Sequence, residues 1–223
     1  MKAMILAAGR GERLRPLTDV TPKPLLEVAG KALIEYHLEK LAAVGFREVI
    51  INTAWLAEKL HRRLGDGSRY HLHLVYADEG EALETAGGIY HALPLLGNNP
   101  FLVVNGDIWS DFDFASIEPL EPGLQANLIL VSNPPHHSQG DFAIENDRLS
   151  NRQTGRYTYS GIGVYSPAFF SACKPGKAAL APLLREKADK QLISAQLYSG
   201  YWTDIGTFER LQALENRLRK AAE

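Results

Sequence analysis

Apolar positions along this chain follow two alternating rhythms: short unbroken runs, and stripes spaced three to four residues apart. MILA (4–7) is a short apolar run soon halted by glycine, which predicts a buried strand. Residues 32–44 place Ile34, Leu38 and Leu41 on one helical face, with Gly45 as a C-terminal cap. EVIINT (48–53) is β-branched and predicts a strand. A helix follows over 55–64, ended by Gly65 and Gly67, then a strand over 70–77. Residues 84–96 predict a helix interrupted by Gly87-Gly88 and carrying Pro94 late, and FLVVNGD (101–107) is an apolar strand ending in a polar turn. Strand and helix alternating in this way predict right-handed crossovers. The fold class that follows is α/β, with a Rossmann-like, mostly parallel central sheet and helices on both faces. Ligands of such sheets bind at the carboxyl ends of the strands, where both AAGRGERLRP (7–16) and Asn105-Gly106-Asp107 fall.

Beyond about residue 120 the rhythm changes. Strands are predicted over 126–132, 141–146, 157–165 and 191–199, with less regular helices between them. This smaller β-rich part reads as the wall of a second site, joined to the first without a linker. A last helix over 207–220 carries the stripe Phe208, Leu211, Leu214 and Leu218, and pairs Glu215 with Arg219. Thr207 is placed to cap it.

Composition changes this picture little. The 223 residues suit one domain, taken as 1–223 with halves 1–120 and 121–223. A net charge of −2 gives no global field for nucleic acid or an anionic membrane, so any anion site must be local. Cys173 is the only cysteine, which excludes an intrachain disulfide or a cysteine-based zinc cluster. The apolar run from Ala3 to Ala8 is too short for a signal-peptide core, and no window suits a bilayer span. The expectation is a soluble, cytoplasmic protein.

The candidate chemistry lies at two predicted strand ends, in the loop around Lys23 and ahead of the last helix. Gly9 and Gly11 let backbone N–H groups approach phosphate oxygens, and Arg10, Arg13 and Arg15 offer forked donors to the same oxygens. Leu14 stands where a dinucleotide fingerprint needs its third glycine, and no Gly-Lys-Ser/Thr follows to make a P-loop. Pro22 and Pro24 stiffen the chain around Lys23, so its charge is delivered to a fixed place. Asp107 and Asp204 each suit a Mg²⁺ site, which takes one or two carboxylates plus phosphates and waters. Taken singly, each of these has a plainer reading as a turn or a surface loop. Asp111 and Asp113 read as turn and cap residues, His71 and His73 as exposed polar groups, and His136 and His137 as loop.

Together, LAAGRGERLRPLTDVTPKPLLEVAGKALIEY, FLVVNGD and WTDIGT, in this order, resemble the sugar-1-phosphate nucleotidyltransferases over essentially the whole chain. The resemblance implies that the phosphate of a sugar 1-phosphate attacks the α-phosphorus of a nucleoside triphosphate and pyrophosphate leaves. It implies that Ala8, Gly9, Gly11, Glu12 and Arg13 wrap the triphosphate, that Arg13 and Lys23 stabilise charge, and that Asp107 and Asp204 hold Mg²⁺ as cofactor. Glu79, Gly80 and Thr85 fall where the family meets the base, and Asn105, Gly140, Asp141 and Ser160 where it meets the sugar. Many members carry a Glu-Lys-Pro segment whose lysine contacts the sugar phosphate. This chain has none, and Arg152 or Arg156 is expected in its place. The short length, Leu-Glu-Thr-Ala-Gly-Gly (83–88) and the missing Glu-Lys-Pro most resemble the uridylyltransferases of bacterial cell-wall recycling, which implies UTP. The expected partners are therefore UTP and a sugar 1-phosphate, with no nucleic acid and no membrane, and the protein is expected to act as a monomer.

Two rivals differ in class. One is another transferase of this family, acting on mannose or glucose 1-phosphate or on phosphocholine. The other is a non-catalytic nucleotide-sugar sensor, which should have lost some of Arg13, Lys23, Asp107 and Asp204.

Overall fold

The apolar runs form strands and the spaced stripes form helices, in the order expected. In this computed structural model, which describes residues 1–221, the first half holds β1 (Ala3–Leu6), α1 (Leu17–Val20), β2 (Glu27–Val28), β3 (Lys31–Ala32), α2 (Leu33–Ala43) and β4 (Glu48–Thr53). It continues through α3 (Ala57–Leu64), β5 (His73–Asp78), α4 (Glu84–Leu96), β6 (Phe101–Asn105) and β7 (Ile108–Ser110). The second half holds β8 (Ala126–Val131), β9 (Phe142–Glu145), β10 (Arg148–Ser150), β11 (Arg156–Tyr165), α5 (Leu180–Asp189), β12 (Ile193–Tyr198), β13 (Trp202–Asp204) and α6 (Phe208–Ala221).

Nine strands form one sheet in the order β5-β4-β1-β6-β11-β8-β12-β10-β9. The strands from β5 to β6 are parallel, the α/β arrangement expected of alternating elements. The β-rich part extends that same sheet edge to edge, with β11 antiparallel to both β6 and β8. β9 pairs with β10 and also with the start of β11, which closes a ring of strands at that end.

The two faces of the sheet carry separate cores, set by the period-two alternation of strands. Ala3, Ile5, Val49 and Ile51 point to the face covered by α2 and α3. Met4, Ile50, Val103 and Leu128 point to the face covered by α4 and α5. A third cluster joins Leu14, Leu26 and Val28 to Leu214 of α6, so the last helix packs beneath the glycine loop.

Three local expectations differ from the structure. The strand expected from residue 70 begins at His73, because Ser68–Tyr70 make a 3-10 turn and His71 is left-handed at φ 59°. Helix α5 is regular where less regular helices were expected. Its Leu180, Leu184 and Ala188 do keep a four-residue spacing, and Pro182 is tolerated in its first turn. Phe208 leaves the expected stripe of α6 and is 54% exposed, while Leu214 is fully buried.

Candidate active site

Register aligns the carboxyl ends of three strands. Leu6 of β1 sits opposite Asn52 of β4 on one side and Asn105 of β6 on the other. Past this row the chain opens into a cavity of about 250 Å³, with Gly9, Gly11, Lys23, Asn52, Thr85 and Asp107 in its wall. Ala8 lines it as well, whereas Glu12 is exposed in the turn beyond.

The glycine loop is held from below. Gly11 is left-handed at φ 65°, and its carbonyl accepts the Thr18 hydroxyl at 2.8 Å. A Cβ on Gly11 would lie 2.9 Å from Thr18 Cγ2, so any other residue here would clash as well as strain the backbone. Of the three loop arginines, only Arg13 faces the reacting space. Arg10 stacks 4.3 Å from the ring centre of Trp55, and Arg15 pairs with Asp19 at 3.1 Å. The expected trio of phosphate-facing arginines thus reduces to one. Lys23 lies in a buried 3-10 turn between its prolines, and its Nζ reaches Asp107 Oδ2 at 2.5 Å.

Asp107 and Asp204 are brought together by a small two-stranded sheet. Asp204 of β13 pairs with Ile108 of β7, and Ile205 N–H donates to the Asp107 carbonyl at 2.8 Å. Helix α2 supports β7 from beneath. His37 bonds the Ile108 carbonyl at 2.9 Å, and Lys40 donates to the carbonyls of Ser110 and Phe112 at 2.9 and 2.6 Å. Burial pushes the His37 imidazole down to about 4, so it is neutral and donates from Nε2. Both aspartates line a second cavity of about 370 Å³, together with Arg13, Asn105, His136 and Tyr159. Among the described residues no group of three or more His, Cys, Asp or Glu gathers to hold a metal. Both carboxylates line the cavity, Asp107 with Oδ2 on Lys23 and Asp204 with both oxygens on Arg210. They suit Mg²⁺, which completes its shell with phosphate oxygens and water, once those side chains turn from them.

On the opposite side, Asn52 braces the wall. Its Oδ1 accepts from Ala7 N–H at 2.8 Å, and its Nδ2 donates to Glu79 Oε1 at 2.6 Å. The other Glu79 oxygen accepts Leu83 N–H at 2.8 Å. Glu79 thus lines the cavity with both oxygens already engaged, and Thr85 lines it beside Glu79. Gly80, left-handed at φ 71°, is outside that lining. The Gly-Gly pair of α4 marks close approach. A Cβ on Gly88 would overlap Glu79 Oε1 and lie 2.8 Å from Asn52 Nδ2, and one on Gly87 would overlap the Gly176 carbonyl.

The second half supplies a third cavity of about 450 Å³, which shares Glu84, Thr85 and Asn105 with the first and adds Asp141 and Tyr159. Asp141 accepts Tyr159 N–H at 2.8 Å and meets His137 at 3.0 Å. Gly140 is buried and left-handed, a turn residue rather than a lining one. Ser160 sits at a bulge in β11, where its hydroxyl donates to the Ile129 carbonyl at 2.7 Å, and the residue lines the second cavity rather than the third. Neither expected substitute for the absent lysine points inward. Arg152 reaches Glu145 and Thr154, and Arg156 reaches the Asp141 carbonyl and Gln153.

Asn52, His136 and Arg210 are the site residues that sequence reasoning missed. Asn52 carried a signal, being a polar residue at the carboxyl end of an apolar strand. His136 carried only its place in a proline-rich turn and Arg210 none, because they are 74 positions apart and meet only in the fold.

A family model described as nucleotidyl transferase matches residues 2–129. The chain is 49% identical over 221 residues to an N-acetylmuramate alpha-1-phosphate uridylyltransferase of Neisseria meningitidis serogroup B, covering 95% of this chain and 96% of that protein. It is 33% identical to a protein of the same description from Caulobacter vibrioides, covering 98% and 97%. Its fold is similar to that of a Bacillus anthracis protein assigned as a glucose-1-phosphate thymidylyltransferase and solved with sucrose. There the TM-score is 0.85 at 25% identity, covering 98% and 95% of the two chains.

Proposed function

From the premise that this chain belongs to the nucleotidyl transferase family, we propose that it joins UTP and N-acetylmuramic acid 1-phosphate. The products are UDP-N-acetylmuramate and pyrophosphate, made in the cytoplasm as a step of cell-wall recycling. The 49% identity along nearly the whole of both chains carries this reading. The convergence of Arg13, Lys23, Asp107 and Asp204 on adjoining cavities supports it chemically. All of these groups come from one chain, so a monomer suffices.

In this mechanism the triphosphate lies over the carboxyl end of β1. The backbone around Ala8, Gly9 and Gly11 donates to its oxygens, and Lys23 neutralises charge about the transferring phosphorus. Thr85 and the loop braced by Glu79 meet the base. The acceptor lies between Asn105 and Asp141, with its phosphate toward Arg13. An acceptor phosphate oxygen bonds to the α-phosphorus in line as the bond to the pyrophosphate oxygen breaks. The nucleophile arrives already ionised, so the protein supplies position and charge rather than a general base. Asp107 and Asp204 would hold Mg²⁺, which supplies Lewis acidity to the phosphates when bound.

The test is product identity. Incubation with UTP, N-acetylmuramic acid 1-phosphate and Mg²⁺ should yield UDP-N-acetylmuramate by mass spectrometry, with one pyrophosphate per sugar nucleotide. Absence of both products under these conditions contradicts the proposal.

A further inference from the structure

The cations around Asp204 outnumber their partners. Arg210, in the first turn of α6, sends Nη1 to the two Asp204 oxygens at 2.6 and 2.7 Å and to His136 Nε2 at 2.5 Å. Its position is fixed from behind: its backbone N–H approaches Thr207 Oγ1 at 3.4 Å, and its side chain is only 18% exposed. Arg13 arrives at the same place from the glycine loop. A Cβ placed on Gly206 would overlap Arg210 Nη2 and lie 3.0 Å from Arg13 Nη2, so the two guanidinium groups converge on one point. Asp204 pairs with Arg210, while Arg13 reaches no carboxylate among the described residues, which leaves one charge uncompensated at a cavity wall. Such a pair attracts an anion with several acceptor oxygens, because guanidinium groups bind phosphate with two parallel donors.

The neighbouring cations are spent elsewhere. Lys23 is held by Asp107, and Arg152 and Arg156 are bonded within the second half, away from this cavity. His136 stands at the cavity wall, with its side chain 42% exposed and its Nε2 2.9 Å from Asp204 Oδ1.

Resting on the reaction proposed above, we infer that Arg210, with His136 in front of it, joins Arg13 in cradling the phosphate of the acceptor sugar 1-phosphate. Arg210 is then a binding residue for the acceptor rather than only a partner that holds Asp204 in place.

Calorimetry distinguishes the two roles without turnover. The protein is saturated with Mg²⁺ and the α,β-methylene analogue of UTP, then titrated with N-acetylmuramic acid 1-phosphate. Arg210→Met should weaken acceptor binding by about tenfold or more, Arg210→Lys by less, and His136→Gln by a few-fold, the loss expected for charge-assisted bonds. Binding of the UTP analogue should stay within about twofold in all three. Unchanged acceptor binding in Arg210→Met overturns the inference. So does a loss that falls instead on the nucleotide analogue and Mg²⁺, because Arg210 would then serve only Asp204. Thermal melts show whether Arg210→Met folds, and if it does not, Arg210→Lys and His136→Gln decide by the same criteria. If the wild type binds glucose 1-phosphate and not N-acetylmuramic acid 1-phosphate, the substrate proposal fails. The variants are then read with glucose 1-phosphate, since the cradle is specific to the phosphate and not to the sugar.

Discussion

Gly87→Ala gives a prediction whose sign separates packing from helix propensity. In an exposed helix interior, replacing glycine by alanine stabilises by about 1 kcal/mol. At Gly87 the new methyl group would overlap the Gly176 carbonyl and lie 3.0 Å from Ala178 N, both backbone atoms that cannot rotate away. Three hydrogen bonds pin that segment to the start of α4. Ala86 and Gly87 N–H donate to the Ala178 carbonyl at 2.9 and 3.0 Å, and Ala178 N–H donates to the Leu83 carbonyl at 3.0 Å. Overpacking costs about 1–3 kcal/mol and each loosened bond about 1 kcal/mol, so a net loss of about 2 kcal/mol or more is expected. For a chain of this size that lowers Tm by roughly 4–8 °C. Thermal melts and urea titration of the two proteins measure it. Because Ala179 and Leu180 line the acceptor cavity, the KM for the acceptor should rise more than the KM for UTP. A variant that melts at or above the wild type would refute the reasoning, since propensity alone would then govern the site.

Other consequences are equally direct. Asp107→Asn and Asp204→Asn should each lower turnover by about a hundredfold or more while melting near the wild type, because they remove charge where transition-state charge must be balanced; near-normal rates in both variants would remove them from the site. Asn52→Ala strands Ala7 N–H and Glu79 Oε1. It should cost about 1–3 kcal/mol in urea unfolding and raise the KM for UTP. His37 is held near 4 by burial against an ordinary 6.5, so the unfolded chain takes up a proton in this window that the folded chain does not. Its contribution is complete above pH 6.5 and is lost as pH falls toward 4, by about 3 kcal/mol at most. His37→Gln should flatten the stability profile between those values, and an identical slope in both proteins would contradict that assignment.

Much of the frame was legible because it rests on periodicity. The strand over 48–53 and the helix over 84–96 were expected with the boundaries observed, since β-branched runs and spaced apolar stripes decide them locally. The start of β5 was missed because a left-handed His71 intervenes, and a single sequence does not announce that conformation. The glycine loop and Asp107 were expected at strand ends, Lys23 in a proline-stiffened loop and Asp204 before the last helix, and these residues line adjoining cavities. Their surroundings were not legible. Arg10 turns to Trp55, Ser160 turns to a bulge, and Asn52, His136 and Arg210 join through contacts between distant segments. Side-chain direction at a bulge or beyond a turn depends on tertiary packing, which spacing along the chain does not encode.

The reaction is defined by the two substrates that it joins. The most direct test is pyrophosphate release measured as kcat/KM over a grid of the four nucleoside triphosphates against N-acetylmuramic acid, N-acetylglucosamine, glucose and mannose 1-phosphates. UTP with N-acetylmuramic acid 1-phosphate should exceed every other pair by at least about tenfold. A faster pair elsewhere in the grid, or no release with any pair, would contradict the account.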